Sequence, residues 1–263
     1  MRVGVFGAGG RVGGEVCRAV AADPELELVA AVDPHHAGLD VHQVTRAEAP
    51  GLQVAGDPEA MAHSSAEVAV DFTDRAAALG NIRWCSEHGV HSVVGTTGFT
   101  EKDYDEIRAL VSDGAGHCFI APNFAIGAVL MMRFAELAAP YFETAEVIEL
   151  HHDAKVDAPS GTAVLTAQRM AGASEVWGTD PTRTEVVEGA RGGAGPAGIR
   201  IHSVRLRGLV AHQEVLLGTT GQSLTIRHDS YDRTSYMPGV LLAVKSVADR
   251  PGLTIGLDAL LQL

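Results

Sequence analysis

One N-terminal stretch constrains this chain more than any other. Arg2-Val3-Gly4-Val5-Phe6 is a short apolar run of strand type that leads into Gly7-Ala8-Gly9-Gly10-Arg11-Val12-Gly13. Val12, Val16, Ala19 and Val20 then recur at helical spacing. A second strand-like run, residues 26–32, ends at Asp33, twenty residues beyond Gly13. Strand, glycine-rich turn, helix, strand and terminal acid make the fingerprint of a dinucleotide-binding βαβ unit. In that reading Gly7 makes the tight turn, Gly10 admits the pyrophosphate, and Gly13 lets helix and sheet approach. Ala8, Gly9, Arg11 and Val12 complete the phosphate-facing turn, and Asp33 accepts hydrogen bonds from the adenosine ribose hydroxyls. A glycine pattern by itself is weak, and a merely structural βαβ unit is the competing account. The flanking elements and the acid favour the nucleotide.

The alternation continues. Strand-like runs at 67–73, 91–94 and 117–121 are separated by helical runs at 75–88 and about 100–112. Strands alternating with helices imply a parallel sheet covered on both faces. Ligands of such sheets bind beyond the carboxyl ends of the strands. Phe72-Thr73, Gly95-Thr96-Thr97-Gly98 and Ala121-Pro122-Asn123-Phe124 all fall there. On composition alone the last two are equally ordinary turn chemistry. Residues 34–64 are polar and weakly patterned. His35, His36, His42 and His63 are scattered through them without a metal-ligand spacing, as solvated loop histidines are.

After a long apolar helix at 126–140, whose Met131-Met132 pair reads as core, the character changes. Strand-like runs at 144–150, 199–205, 213–217 and 223–228 surround one convincing helix, at 162–170. That is a second domain of α+β type with an open mixed or antiparallel sheet. Residues 189–198 (GARGGAGPAG) are too glycine-rich to be rigid, and read either as a mobile lid or as a connection without a role. A final helix is expected at 236–247.

Charge narrows the partners. The net charge is −13, with no basic cluster to offset it, which argues against nucleic acid and acidic membrane surfaces. An anionic ligand must then be captured by locally placed donors. The three cysteines, Cys17, Cys85 and Cys118, are far apart in apolar contexts and form no C-x-x-C, as expected for buried thiols in a reducing cytoplasm. No apolar run reaches membrane-spanning length, and a chain that enters a strand at Arg2 leaves no room for a signal peptide.

Residues 149–163, ELHHDAKVDAPSGTA, concentrate the remaining chemistry. They run from a strand, through a loop marked by Pro159 and Gly161, into a helix. The first amides of a helix have no intrahelical partner and attract anions. A carboxylate set on Ser160, Gly161 and Thr162 would meet those amides and two hydroxyls, and Lys155 adds a mobile charge. His151 and His152 titrate near neutral pH and point to opposite faces of a strand, so one of them can serve as a proton donor. Taken singly, each feature has a bland account: a serine before a helix is commonly only a cap, and paired histidines alone say little.

Taken together, His151-His152-x-x-Lys155-x-Asp157-Ala158-Pro159-Ser160-Gly161-Thr162-Ala163 closely resembles the signature of the 4-hydroxy-tetrahydrodipicolinate reductase (dihydrodipicolinate reductase) family of bacterial lysine and diaminopimelate biosynthesis. The resemblance spans essentially the whole chain, and the G-x-x-G-x-x-G form of the first turn also occurs in that family. It implies an α/β fold: a Rossmann-type parallel-sheet nucleotide domain at 1–123 plus 235–263, with an inserted α+β substrate and tetramerisation domain of open mixed sheet at 124–234. Hinge passages would lie near 123–125 and 231–235. It further implies reduction of the hydroxylated ring dicarboxylate with NADH and/or NADPH, in a cytoplasmic homotetramer and without a metal. By the same resemblance, Gly95, Thr96, Thr97, Ala121, Pro122, Asn123 and Phe124 contact the nicotinamide half of the cofactor. His151 is the proton donor, Lys155 has a similar role, and His152, Ser160, Gly161 and Thr162 hold the substrate. Arg205, which ends the Ile201-His202-Ser203-Val204-Arg205 run, and Arg207 just beyond it either support an acidic substrate or simply face outward.

Asp33 would repel a 2′-phosphate, and Pro34-His35-His36 follow it where NADP-preferring relatives often place an arginine. Arg11 can still pair with a phosphate, so NADH is expected to be used well and NADPH at least tolerated. Two other readings stay open. An amino-acid or semialdehyde dehydrogenase would need a catalytic cysteine or a different acid set. A non-catalytic NAD-sensing module would have no reason to keep HHDAK before SGT.

Overall fold

The computed structural model describes residues 1–261. β1 (Arg2–Phe6), α1 (Arg11–Ala22) and β2 (Glu27–Val32) form the first βαβ unit. α1 buries Val16, Cys17 and Val20 on one stripe. β1 and β2 are buried almost throughout, as strands covered on both faces must be. Next come α2 (Val41–Thr45), β3 (Val54–Ala55) and α3 (Glu59–His63). The segment read from sequence as polar loop therefore carries two short helices and a strand. Asp40 caps α2 by accepting from the His42 and Gln43 amides, and Val41, Val54 and Met61 are buried. Elements this short span too few residues for a period to show.

β4 (Val68–Asp71), α4 (Arg75–His88), β5 (His91–Val94), α5 (Glu101–Asp113) and β6 (Cys118–Ile120) follow. Asp74 caps α4, and Thr100 with Asp103 forms a capping box on α5. The chain then passes through α6 (Ile126–Ala138), β7 (Thr144–His151), α7 (Gly161–Ala173), β8 (Gly193–Ala194), β9 (Arg200–Arg205), β10 (Ala211–Thr219) and β11 (Gln222–Ser230). It ends with α8 (Met237–Ser246), which accommodates Pro238 in its first turn, and β12 (Leu253–Ile255).

The chain divides into two compact units, residues 1–125 with 233–263, and residues 126–232. In the first, a seven-stranded sheet has the order β3-β2-β1-β4-β5-β6-β12, with every pairing parallel. The order reverses between β1 and β4, which opens a crevice at their carboxyl ends. β12 is an addition to the expected architecture: three residues paired parallel to β6. Cys17, Cys85 and Cys118 are buried free thiols, and burial pushes Cys17 and Cys118 up to about 12, so neither ionises near neutral pH.

In the second unit a five-stranded sheet runs β11-β10-β7-β9-β8. β7 is antiparallel to β10 and parallel to β9, so the sheet is mixed. Ala145, Val147 and Glu149 of β7, with Gln213, Val215 and Leu217 of β10, form its buried face. α7 meets that face through the 2.8 Å hydrogen bond from Gln213 to Thr166. Met131 and Met132 of α6 are buried, as expected of core. The glycine-rich stretch carries regular main-chain structure that its composition did not suggest. β8 pairs antiparallel with β9, and Pro196–Gly198 makes a 3-10 turn. Main-chain pairing needs no side-chain pattern, so composition alone did not show it. Among the described residues, no helix is long and apolar enough to cross a membrane.

A histidine pair at the opposite end of the parallel sheet sets one expectation. The rings of His91 and His117 lie 4.8 Å apart, and His91 Nδ1 accepts the His117 amide at 3.0 Å. Burial, and then the neighbouring His117, lower the His91 pKa. The unfolded chain therefore binds the proton more readily, so the stability this site contributes is present above the ordinary histidine value and is lost as pH falls through it. Urea midpoints measured from pH 8 to 5 should decline more steeply for wild type than for His91→Asn, which keeps an acceptor but cannot titrate. Equal slopes would remove the site from the acid response.

Candidate functional site

In the first unit, the candidate residues gather at the carboxyl edge of the parallel sheet. Gly7 turns the chain with φ +67°, and its amide and that of Ala8 donate to the Val32 carbonyl at 2.8 and 3.2 Å. A Cβ on Gly13 would lie 2.0 Å from the Gly7 carbonyl oxygen, so α1 approaches the turn as closely as only glycine permits. The N-cap of α1 is Gly10, which has no side chain to occupy the first amides. Arg11 is exposed beside it and Val12 half-buried. These features fit a pyrophosphate at the opening of α1.

Asp33, at the end of β2, is 7% exposed and well partnered. Its Oδ2 accepts the Gly9 amide and its Oδ1 the His35 amide, both at 2.9 Å, and His36 Nδ1 lies 3.1 Å from Oδ1. Burial pushes this carboxyl up, but His36 and the two amides outweigh it and hold the group below the ordinary carboxylate range. Asp33 is thus an anion, which suits ribose hydroxyls. His36, read from sequence as a solvated loop residue, instead sits against both Asp33 and Gly9.

Beyond β4, the buried Asp71 accepts from the Thr73 amide and hydroxyl at 2.7 and 2.6 Å and from Asn81 at 2.7 Å, which pins the Phe72-Thr73 turn. Burial raises this carboxyl. Thr96 is buried and donates its hydroxyl to the Thr73 carbonyl at 3.0 Å, while Thr97 is exposed. A Cβ on Gly95 would strike the Phe72 ring at 2.0 Å. Ala121 is buried, its amide donating to Val94, and Pro122 is exposed. Asn123 Oδ1 accepts the Ala125 amide at 2.9 Å. Phe124 is buried between Phe72 and Phe119, with ring centroids 5.6 and 6.2 Å away. The structure thus brings the GAGG turn, Phe72-Thr73, GTTG and APNF to one edge of one sheet.

In the second unit, the candidate residues gather where β7 passes through a loop into α7. Ser160 is the N-cap of α7, its hydroxyl accepting the Ala163 amide at 3.2 Å. Its own amide donates to Glu149 Oε1 at 3.1 Å. A carboxylate arriving here would therefore meet the Gly161 and Thr162 amides rather than that of Ser160. A Cβ on Gly161 would meet nothing within 4 Å, so the approach is open. The peptide bond before Pro159 is cis. Lys155 Nζ contacts both carboxylate oxygens of Asp157 at 2.8 Å. His152 is exposed.

His151 ends β7 with its side chain 16% exposed, and its Nδ1 lies 2.5 Å from Glu149 Oε2. Glu149 is fully buried. Arg205 holds the same carboxylate through two hydrogen bonds of 2.8 and 2.9 Å and also donates to the Asp157 carbonyl at 2.6 Å. Burial pushes the Glu149 carboxyl up, but Arg205, Ser203 and His151 more than reverse this, so it stays ionised. Burial lowers the His151 pKa. Glu149 opposes that shift, while Lys155 and Arg205 add to it.

Arg205 is therefore bound to Glu149 rather than outward-facing, and Arg207 is the exposed arginine, paired with Asp153. Sequence reasoning passed over Glu149. The available signal was its place two residues before His151 on a strand, which puts both side chains on one face.

The comparisons with known proteins agree from end to end. Residues 1–124 match the family model of the dihydrodipicolinate reductase N-terminus, and residues 127–261 that of its C-terminus. A 4-hydroxy-tetrahydrodipicolinate reductase of Nocardia farcinica is 52% identical over 269 residues, covering 100% of this chain and 99% of the relative. One from Cutibacterium acnes is 50% identical over 268 residues with the same coverage. Among solved structures, a dipicolinate-bound dihydrodipicolinate reductase from Paenisporosarcina sp. TG-14 superposes with a TM-score of 0.87 at 40% identity, covering 98% of each chain.

Proposed function

From the premise that this chain belongs to the dihydrodipicolinate reductase family, we propose that it reduces 4-hydroxy-tetrahydrodipicolinate to tetrahydrodipicolinate with NAD(P)H and loss of water, within lysine and diaminopimelate biosynthesis. One observation carries the reading to the residues: a half-buried imidazole, a lysine and the open amides of a helix follow one another at the end of β7. Residues 1–125 with 233–263 act as the dinucleotide-binding domain, and residues 126–232 as the substrate domain.

Gly7, Ala8, Gly9, Gly10, Arg11 and Val12 hold the pyrophosphate, and Asp33 the adenosine ribose. Gly95, Thr96, Thr97, Ala121, Pro122, Asn123 and Phe124 form the nicotinamide end. When bound, the reduced nicotinamide supplies a hydride to the unsaturated ring. The Gly161 and Thr162 amides hold one substrate carboxylate, supported by Ser160, and His152 helps to hold the ring. His151 delivers the proton needed at the atom beside the reduced carbon, and Lys155 supplies charge or a proton there.

A coupled assay that follows NADH absorbance with freshly generated substrate tests the whole reading, and no substrate-dependent oxidation would end it. The same assay decides the cofactor. NADH should support turnover and NADPH should also be accepted, because Asp33 disfavours the 2′-phosphate while Arg11 and His36 lie close enough to the turn to offset it. A large preference for NADPH would contradict this role for Asp33. The enzyme is proposed to be a cytoplasmic homotetramer assembled through the mixed sheet, whose buried face is the one turned to α7. Light scattering on the purified protein measures its mass directly.

A further inference from the structure

We propose that Glu149 is the positioning residue of the proton donor: its carboxylate holds the His151 ring through Nδ1, leaves Nε2 to exchange a proton with substrate, and ties that ring to the opening of α7. This rests on the reading of His151 as the acid. The observations behind it belong to one strand–loop–helix passage. Glu149 is fully buried, and one of its oxygens lies 2.5 Å from His151 Nδ1 while the other accepts the Ser160 amide at 3.1 Å. Arg205, reaching across from β9, bonds both oxygens.

A buried carboxylate is costly unless paired and hydrogen-bonded. Here the pairing is divided. Arg205 alone would balance the charge and clamp β7 to β9, which is all that a structural role requires. The contact with Nδ1 goes beyond that requirement. A neutral imidazole has one N–H, and a carboxylate against Nδ1 keeps it there, so the Nε2 lone pair is free to take up the proton that is later delivered. The protonated ring retains the same partner, which steadies the form that acts as acid. This is the logic by which a buried acid orients a catalytic histidine in other enzymes. The bond to Ser160 adds a second consequence: the ring and the first amides of α7 share one anchor and keep one spacing.

The charged groups that face His151 are Glu149 on β7, Arg205 on β9, and Lys155 with its partner Asp157 in the loop. Of these only Glu149 favours the protonated ring by direct contact. In Glu149→Gln the amide carbonyl is drawn to Arg205, which turns the amide NH2 towards Nδ1 and forces the opposite tautomer. The expected result is a fall in kcat of at least about 10²-fold, with a smaller change in KM and unchanged NADH binding. The alkaline limb of the pH–kcat profile should move to lower pH, which a merely structural clamp would not cause. Wild-type kcat and an unmoved limb in a folded Glu149→Gln protein would overturn the proposal while leaving the proposed reaction intact.

A second measurement needs neither a variant nor substrate. Nitrogen-15 NMR of wild type, at a pH where His151 is neutral, should show the Nδ1–H tautomer. The Nε2–H form would overturn the proposal even if Glu149→Gln failed to fold, and either NMR result stands apart from whether the reduction assay succeeds.

Discussion

Replacing His151 with glutamine is expected to lower turnover by at least about 10²-fold, and Lys155→Ala by a similar factor, while both variants still bind NADH. Glutamine keeps a hydrogen-bonding head of similar reach but cannot carry an ionisable proton near neutral pH. The loss therefore reads the chemistry rather than the packing. Lys155 adds an electrostatic argument. Its ammonium lies 2.8 Å from both oxygens of Asp157. Removing it strips that carboxylate of its direct ion-pair partner in the loop that leads to the amides proposed to receive a dicarboxylate, so KM should rise as kcat falls. Steady-state kinetics with calorimetric titration of NADH separates the two effects. Wild-type turnover in either variant would remove that residue from the mechanism. Burial lowers the His151 pKa, so in the free enzyme kcat/KM should decline with rising pH from below the ordinary histidine value.

The second large effect is expected at Gly13. An alanine there would place its Cβ 2.0 Å from the Gly7 carbonyl oxygen and 2.7 Å from the Gly7 carbonyl carbon. Both are backbone atoms of the turn, so no flexible side chain can yield. Overpacking of this kind costs about 1–3 kcal/mol, and in a chain of this size each kcal/mol lowers Tm by roughly 2–4 °C. Because the strain falls on the turn that would cradle the pyrophosphate, Gly13→Ala should also raise the Kd for NADH by about tenfold or more, the equivalent of 1.4 kcal/mol. Gly80→Ala is the matched control. Gly80 is exposed on α4, where a Cβ meets nothing within 4 Å, and alanine favours helix. A Gly13→Ala protein that binds NADH like wild type would show that this close approach is not needed.

Much of the architecture was legible because its determinants are local. β1, β2 and β4 read as short apolar runs because both their faces are covered. Gly7, Gly13 and Asp33 stand at offsets set by a turn and one crossover. Ser160 caps α7 as its place before the helix suggested. What escaped notice depends on partners distant in the chain or on main-chain bonds. α2, β3, α3 and β12 have two to five residues each, too few for a hydrophobic period. β8 lies within a stretch whose glycine content describes conformational freedom but says nothing of the strand beside it. Glu149 gains its meaning from Arg205, fifty-six residues away, and His36 from the way the chain folds back on Asp33.

The pairing of β12 with β6 has a consequence for how the polypeptide is made. Six of the seven strands of the parallel sheet lie within the first 125 residues, yet the edge strand and α8 come only after residue 232. The Gly252 amide reaches His117 Nδ1 across 135 positions. On a ribosome, the sheet must wait one strand short, with the β6 edge unpaired, while the whole of the second unit is synthesised. Unpaired edges invite association with other chains. The short length of β6, three residues, limits how much template that waiting edge presents.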